Sequence, residues 1–282
     1  MAPGTAYERV VIHDPAADGG EPRTSTWGIA VESPIAITIN GVPWMVMLAT
    51  PADLEDLAIG LAVTERVLVD TATFPQVTVS TFLHDVSVDL VVPESHLDRT
   101  AMRARATASG TACGLCGLES LAQLHLRAGD IEAGLRRTPG GIATQSITDT
   151  AILAAFAALP LHQPINRETH SVHAAAWCNA GGDIVLVRED VGRHNALDKL
   201  VGAMTTRGLP MHSGFVVMSS RCSFELVAKA SSMRASLLAT ISAPTTLALQ
   251  WSAALGLPLA CRIGGPDDGR VVRFRTEAAG AA

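Results

Sequence analysis

The sequence lacks several features that would place a protein in a broad functional class. Basic residues are fewer than acidic ones, 21 against 27, and the net charge of −6 gives no general attraction for nucleic acid or an anionic membrane. No apolar run approaches the roughly 18 residues that span a bilayer. The first residues have neither the basic start nor the apolar centre of a secretory signal. We therefore expect a soluble cytoplasmic protein that binds neither nucleic acid nor membranes.

Cysteine is also scarce, and its count argues against a disulfide framework. There are five cysteines, which is an odd number, and disulfides are rare in a reducing compartment. Two of them form Cys113-Gly-Leu-Cys116, and no second Cys-x-x-Cys occurs in the chain. Cys178 and Cys261 end apolar strands and are expected in the core. Cys222 lies in a predicted loop and is ambiguous.

The cysteine pair has three possible uses, between which its spacing does not choose: half of a zinc site, a thiol–disulfide redox pair, or a thiolate that carries a group. A zinc site needs more ligands, which His170 and His173 could supply. A redox pair normally begins a helix in an early strand–helix–strand unit, whereas this one is flanked by glycines in a stretch without periodicity. A mobile tether suits a carrier that is loaded at a donor and unloaded at an acceptor. Group carrying is therefore favoured, with the other uses still open.

The chain divides into two predicted folded parts joined by a loop. Residues 1–105 form a sheet-rich α+β subdomain, with a hairpin turn at Asn40-Gly41 and a helix that Thr50 caps and that runs to about Val67. Residues 106–117, which carry the cysteine pair, are small, polar and glycine-rich, and a mobile loop is expected there. Residues 118–282 form the second part.

Strands and helices alternate from Ser171 onwards, which predicts an α/β domain with a largely parallel sheet flanked by helices. The loops after such strands meet at one edge of the sheet and should line one crevice. Glycine permits close approach of a ligand there, and arginine, serine, threonine and helix N–H groups are donors suited to phosphate oxygens. The residues that these loops contribute are Asp190, Gly192, Arg193, His194, Ser219, Ser220, Arg221 and Thr245.

Several familiar site patterns are missing. Neither the phosphate-binding G-x-x-x-x-G-K-[ST] spacing nor a G-x-G-x-x-G after a strand is present. Zinc deaminases need H-x-E together with P-C-x-x-C, and Ala175 stands where the carboxylate after His173 would be required. Deaminase chemistry is therefore not expected.

Motifs along nearly the whole chain resemble those of the FdhD family of formate dehydrogenase accessory sulfurtransferases. The longest of them is specific to that family. The motifs are Glu32-Ser-Pro-Ile-Ala-Ile-Thr-Ile-Asn-Gly41, Thr50-Pro-Ala-Asp-Leu-Glu-Asp-Leu-Ala-Ile-Gly60, Cys113-Gly-Leu-Cys-Gly117, His170 to Ala176, Arg188-Glu-Asp-Val-Gly-Arg-His-Asn-Ala-Leu-Asp-Lys199, Ser219 to Lys229 and Ala243-Pro-Thr245.

The resemblance implies a cytidine-deaminase-like α/β fold without deaminase chemistry, and a homodimer. It implies that a cysteine desulfurase loads sulfur on the cysteine pair, with Cys113 the persulfide carrier and Cys116 its helper. The sulfur would pass to the molybdenum cofactor that carries guanine dinucleotides, before that cofactor enters formate dehydrogenase. The guanine nucleotide part would bind in the crevice as substrate, with no permanently bound cofactor or metal. The resemblance adds one more segment to that site: Arg262, Ile263, Gly264 and Gly265.

Three segments depart from the family pattern. The family usually has Ser-Gly-Arg where this chain has Ser219-Ser220-Arg221, and Thr-Gly-Gly where it has Thr169-His170-Ser171. Cys261-Arg262-Ile263 also matches the family poorly. Loss of glycine leaves less room for a ligand to approach the backbone.

Two alternative functions are considered. One is a cofactor chaperone without sulfur transfer, and the other is a zinc-stabilised nucleotide-binding module.

Overall fold

A computed structural model describes residues 4–12, 23–69, 75–82, 85–107, 146–210, 212–265 and 269–274. The predicted cysteine loop, with Cys113 and Cys116, lies outside these residues, and the predicted domain limits stay predictions. Among the described helices, none has the length and apolar character needed to cross a membrane.

The N-terminal part contains an antiparallel two-stranded sheet and a mixed four-stranded sheet. The turn at Asn40-Gly41 has φ of 51° and 72°, so both residues are left-handed, as a two-residue hairpin turn requires; the predicted hairpin is confirmed. Strands β1 (Thr5–Ile12) and β2 (Arg23–Ala30) pair with each other. The second sheet has the order β4-β3-β6-β5 and consists of β3 (Ser33–Ile39), β4 (Val42–Ala49), β5 (Gln76–Phe82) and β6 (Asp85–Val91), with β3 and β6 parallel.

Helix α1 (Leu54–Thr64) follows β4 and packs its apolar side on this sheet. The sequence placed its cap at Thr50, and that prediction is wrong, because the helix begins four residues later, after Asp53. Thr50 is fully buried, and its N–H instead donates to Asp190 Oδ2 at 3.0 Å. Thr50 therefore interacts with a residue distant in sequence and does not cap the helix. A 3₁₀ turn (Glu94–His96) and α2 (Arg99–Thr107) complete this part.

The second part is a six-stranded sheet with helices on both faces. Its strand order is β12-β11-β10-β9-β7-β8. The strands are β7 (His173–Asn179), β8 (Ile184–Asp190), β9 (Gly214–Met218), β10 (Leu238–Thr240), β11 (Leu259–Ile263) and β12 (Arg270–Phe274). The helical segments are α3 (Asp149–Ala158), a 3₁₀ turn (Leu159–His162), α4 (Pro164–Thr169), α5 (Arg193–Thr206), α6 (Phe224–Ser232) and α7 (Thr246–Leu255).

Strand direction brings the predicted site loops together. Strands β9, β10 and β11 are parallel neighbours, whereas β7 is antiparallel to both β8 and β9. Strand β8 therefore points the same way as β9. Four of the six strands end at one side of the sheet, which we call the carboxyl edge. The mixed α/β fold with sheets flanked by helices is confirmed.

The strands alternate between two core faces, as a period of two requires. On β7, Ala175 and Trp177 face a core shared with α5, α6 and α7, while Ala174, Ala176 and Cys178 face a core shared with α3. Burial of both faces accounts for the continuous apolar run in β7. Cys178 and Cys261 are both buried, which confirms their predicted place in the core.

Two glycines let α1 and α5 cross at close range. A Cβ on Gly60 would lie 1.7 Å from the carbonyl oxygen of Asp198, and a Cβ on Gly202 would lie 1.9 Å from that of Asp56. Both obstacles are backbone atoms, which cannot rotate away. The contact couples the N-terminal sheet to the six-stranded sheet through their two helices.

We expect Gly60→Ala to lower the free energy of unfolding by about 2 kcal/mol, because the helices must separate to admit the methyl group. The usual gain of about 1 kcal/mol from replacing a helical glycine acts in the opposite direction. Urea unfolding followed by circular dichroism measures the change. Gly181→Ala is the control, since its Cβ would meet only side-chain atoms, Asn179 Oδ1 at 3.3 Å and Asp183 Oδ2 at 3.8 Å. Equal effects of the two variants would contradict the packing argument.

Candidate functional site at the carboxyl edge

The site residues predicted from the sequence lie in four loops that follow strands ending at the carboxyl edge. Strand β8 leads into Gly192 and α5, β9 into the segment 219–223, and β10 into the segment 241–245. Strand β11 ends at Ile263 and is followed by Gly264 and Gly265. The structure therefore brings the predicted residues to one edge, although their side chains differ in what they do there.

Asp190 and Lys199 form an ion pair in the interior below this edge. Both side chains are fully buried, and Lys199 Nζ lies 2.6 Å from Asp190 Oδ2. The other carboxylate oxygen of Asp190 accepts from Gly192 N–H at 2.8 Å and from Asn195 Nδ2 at 2.9 Å. Lys199 also donates to the Thr50 carbonyl oxygen at 2.9 Å. Asp190 thus supports the loop from below, and direct ligand contact by it stays a prediction.

Other members of the long family motif also have protein partners. Arg188 donates two hydrogen bonds to Asp56 Oδ2, at 2.8 and 2.7 Å, which ties β8 to α1. Glu189 accepts from the first N–H groups of α4, those of Ile165 and Asn166, at 2.9 and 2.8 Å. Burial raises the pKa of Glu189, against the effect of those hydrogen bonds. The motif therefore connects four elements as well as shaping the edge.

A second buried charge cluster lies at the far end of this motif. Lys229 Nζ is 2.8 Å from Asp198 Oδ1 and 3.2 Å from Glu65 Oε1, and it donates to Thr64 Oγ1 at 2.9 Å. These four residues belong to α1, α5, α6 and the turn after α1. The cluster fixes the packing of the three helices with its hydrogen-bonding groups paired, as buried charge requires.

Gly192, Arg193 and His194 lie at the start of α5 and are only half-buried. A Cβ on Gly192 would lie 2.9 Å from Asn195 Nδ2, so the glycine is needed for the loop itself. His194 Nε2 lies 2.8 Å from Glu225 Oε2 and 3.3 Å from Ser223 Oγ, which joins the start of α5 to the start of α6. Arg193 makes no hydrogen bond or ion pair with any residue that the structure describes.

His173 is a residue of this edge that the sequence suggested only as a zinc ligand. It is the first residue of β7 and pairs across the strands with Asp190, the last residue of β8. Burial lowers its pKa, and the nearby positive charges of Arg193 and His194 lower it further, against a smaller opposite effect of Asp190. The sequence does contain a signal for this placement: His173 begins a predicted strand, and that strand pairs with β8.

The serine and threonine residues have local partners. Ser219 Oγ accepts from Ala174 N–H at 2.8 Å, and Ser220, which is buried, donates to the Arg221 carbonyl oxygen at 3.1 Å. Thr245 caps α7, since its side chain accepts from Ala248 N–H at 3.2 Å.

The loop after β11 closes on itself. Arg262 donates to the carbonyl oxygen of Gly265, while Arg221, on the loop after β9, is exposed. Ile263 is also exposed and Gly264 has φ of 88°, a left-handed conformation that suits glycine. Whether these residues contact a ligand stays a prediction.

The three cysteines of the described part are poorly suited to thiolate chemistry. Burial raises the pKa of Cys178 and of Cys222 to about 12, and it also raises that of Cys261. A thiol acts as a nucleophile only as thiolate. Cys222, ambiguous from the sequence, is therefore a buried and unreactive thiol. In the same described part, no group of three or more His, Cys, Asp or Glu side chains is placed to hold a metal ion.

Comparisons with known proteins agree on one family. The model of the FdhD/NarQ family matches residues 30–268. The sulfur carrier protein FdhD of Xanthomonas euvesicatoria pv. vesicatoria (strain 85-10) is 40% identical over 259 residues, which cover 92% of this chain and 87% of the relative. The sulfur carrier protein FdhD of Cupriavidus necator is 38% identical over 266 residues, covering 88% of each.

A solved structure supports the fold. The crystal structure of a protein from Desulfotalea psychrophila, assigned as a formate dehydrogenase accessory protein, matches with a TM-score of 0.68 over 99% of both chains. Sequence identity between the two is 19%, so this likeness bears on architecture alone.

Proposed function

Since the chain belongs to the FdhD/NarQ family, we propose that it carries sulfur as a persulfide on Cys113 and delivers it to the molybdenum cofactor of a formate dehydrogenase. The main support for this proposal is that the five cysteines fall into two groups. Three are buried with a raised pKa, which leaves the Cys113-Gly-Leu-Cys116 pair for the chemistry.

Loading is a thiol–disulfide-type exchange. The Cys113 thiolate attacks the terminal sulfur of a persulfide on a cysteine desulfurase, the S–S bond of that persulfide breaks, and the desulfurase leaves as a thiolate. Cys116 then attacks the inner sulfur of the Cys113 persulfide. A disulfide between the two cysteines forms and the outer sulfur leaves as hydrosulfide, the reduced form that a metal centre can accept.

The carboxyl edge is the proposed binding site for the cofactor, whose guanine nucleotide parts bring phosphate groups. Arg193 has no counter-ion among the described residues, and the loops around it come from the ends of β8, β9, β10 and β11. A local set of donors can hold an anion even though the whole chain carries a net charge of −6. The cofactor is bound as substrate and leaves with its sulfur.

The proposal includes two protein partners and a second copy of the chain. The desulfurase supplies the sulfur, a formate dehydrogenase receives the cofactor, and the chain acts as a homodimer. A cytoplasmic location fits this chemistry, because cellular thiols there can reduce the disulfide left after each transfer by thiol–disulfide exchange, which restores both cysteines as thiols.

The direct test is incubation with a cysteine desulfurase and cysteine, followed by mass spectrometry of peptides from the non-reduced protein. We expect the mass of one added sulfur on the peptide that contains Cys113. Cys113→Ala should abolish loading, whereas Cys222→Ala, which removes a buried thiol, should load normally. Loading of the Cys113→Ala protein to the wild-type level would refute the proposed carrier.

A further inference from the structure

His173 lies where a ligand at the carboxyl edge would meet it. His173 is the first residue of β7 and lies beside the end of β8. Shortly after β8 ends, Arg193 and His194 begin α5. The next residue, Ala174, exchanges two hydrogen bonds with Ser219, which fixes β7 against the loop after β9. Three elements therefore fix the backbone that carries this imidazole.

The charged groups around His173 differ in whether a group of opposite charge lies beside them. The Asp190 carboxylate is occupied by Lys199 and by three other donors. Of the Glu225 carboxylate, Oε2 pairs with His194, while Oε1 is buried without a hydrogen-bond partner among the described residues. Arg193 has no carboxylate partner within the described part of the chain. An arginine without a counter-ion beside a half-buried histidine favours an anion between them.

Ser219 adds a neutral donor to this group. Its hydroxyl oxygen accepts from Ala174 N–H at 2.8 Å. A hydroxyl has one hydrogen to donate as well, and none of the described residues accepts it. The hydrogen can therefore turn towards a ligand oxygen.

We propose that His173, Arg193 and Ser219 form a subsite for a phosphate-type anion, and that His173 takes up a proton when the anion binds. The identity of the natural anion, a phosphate of the nucleotide part of the cofactor, rests on the proposed function. The subsite itself rests on the geometry of these three residues.

The sign of the coupling follows from the groups that face His173. Burial and the charges of Arg193 and His194 lower its pKa in the free protein, and only Asp190 acts against them. The imidazole is therefore neutral at pH 7. A bound anion adds negative charge at contact distance and favours the imidazolium form. By linkage, anion affinity must rise as the pH falls through the pKa of the bound state.

The test is a titration of the histidine ring signals by NMR on the full chain. The His173 signal is identified by its loss in His173→Gln. It should titrate below the ordinary value of 6.5 in the free protein. Saturating sulfate, an anion that does not titrate in this range, or saturating GDP should raise the midpoint by about one unit, a tenfold change in proton affinity.

Two arginine variants control for charge. Arg193→Met should raise the midpoint in the free protein, because a positive neighbour is lost, and should abolish the response to sulfate. Arg207→Met removes an exposed arginine at the other end of α5. It should change neither the midpoint in the free protein nor the response to sulfate. If His173→Gln does not fold, loss of the signal in His173→Asn identifies His173.

The outcomes separate the subsite from the proposed function. If neither sulfate nor GDP changes the titration midpoint of His173, the subsite is overturned. If GDP binds but the midpoint of His173 does not change, the subsite is still overturned, whereas the proposed nucleotide binding is kept. A response to sulfate without any binding of GDP supports the subsite and removes the nucleotide from the proposed function. If neither ligand binds, the subsite is overturned and the nucleotide is removed from the proposed function, while sulfur carriage on Cys113 is decided by the loading test.

Discussion

Cys113→Ala is expected to reduce formate dehydrogenase activity to background in a strain whose own gene for this protein has been deleted. Alanine cannot form the persulfide, and the thiols of Cys178, Cys222 and Cys261 cannot replace it, because burial raises the pKa of each. Loss of a nucleophile that forms a covalent intermediate removes the reaction path itself. The measurement is formate oxidation in extracts, with protein level checked by immunoblot.

Two further variants make this result specific. Cys178→Ala removes a buried thiol from the core beside α3 and should still support activity. Cys116→Ala should accept sulfur on Cys113 but fail to release it, so activity should be low while persulfide accumulates. If both Cys113→Ala and Cys116→Ala restore full activity, the protein acts as a cofactor chaperone without carrying sulfur.

Asp190→Ala should lower the free energy of unfolding by about 3–5 kcal/mol, because it leaves the fully buried ammonium of Lys199 without its counter-ion. It also leaves Thr50 N–H, Gly192 N–H and Asn195 Nδ2 without their common acceptor. Unpaired buried donors add to the loss. Chemical denaturation with two spectroscopic probes measures the effect.

Asp149→Ala is the matched control for the buried pair. Asp149 Oδ1 lies 2.7 Å from Arg273 Nε, close to the 2.6 Å of the Asp190–Lys199 pair, but its side chain is 58% exposed. Surface ion pairs contribute about 0–1 kcal/mol. A loss in Asp190→Ala no larger than that in Asp149→Ala would show that the buried pair does not stabilise the fold.

The sequence predicts those elements that depend on neighbouring residues. The hairpin at Asn40-Gly41 is one, since two left-handed residues in succession require a turn of this composition. The edge of the sheet is another, because alternating strands and helices fix which loops meet. The start of α1 was predicted wrongly for the opposite reason: Thr50 resembles a cap locally but bonds to Asp190, 140 residues away.

The same limit applies to the site. Asp190 and Arg193 are three residues apart in one motif, and both are polar residues suited to a ligand. The structure separates them, since Asp190 is fully buried with four donors whereas Arg193 is half-buried. His173 was missed as a part of the edge because its neighbours there come from β8 and α5. Burial and partners over such distances are not encoded in a local pattern.

The hydrogen bond between Thr50 and Asp190 also bears on when the protein becomes able to fold during synthesis. The loop that carries Gly192 and Arg193 is supported only after a segment of 140 residues has closed. Closure of a long segment is slow, and contacts distant in sequence form late in folding. A ribosome must therefore make most of the chain before the edge can assemble, and until then the N–H of Thr50, which follows β4, lacks its acceptor. We expect truncated chains that end before Lys199 to be targets of proteolysis.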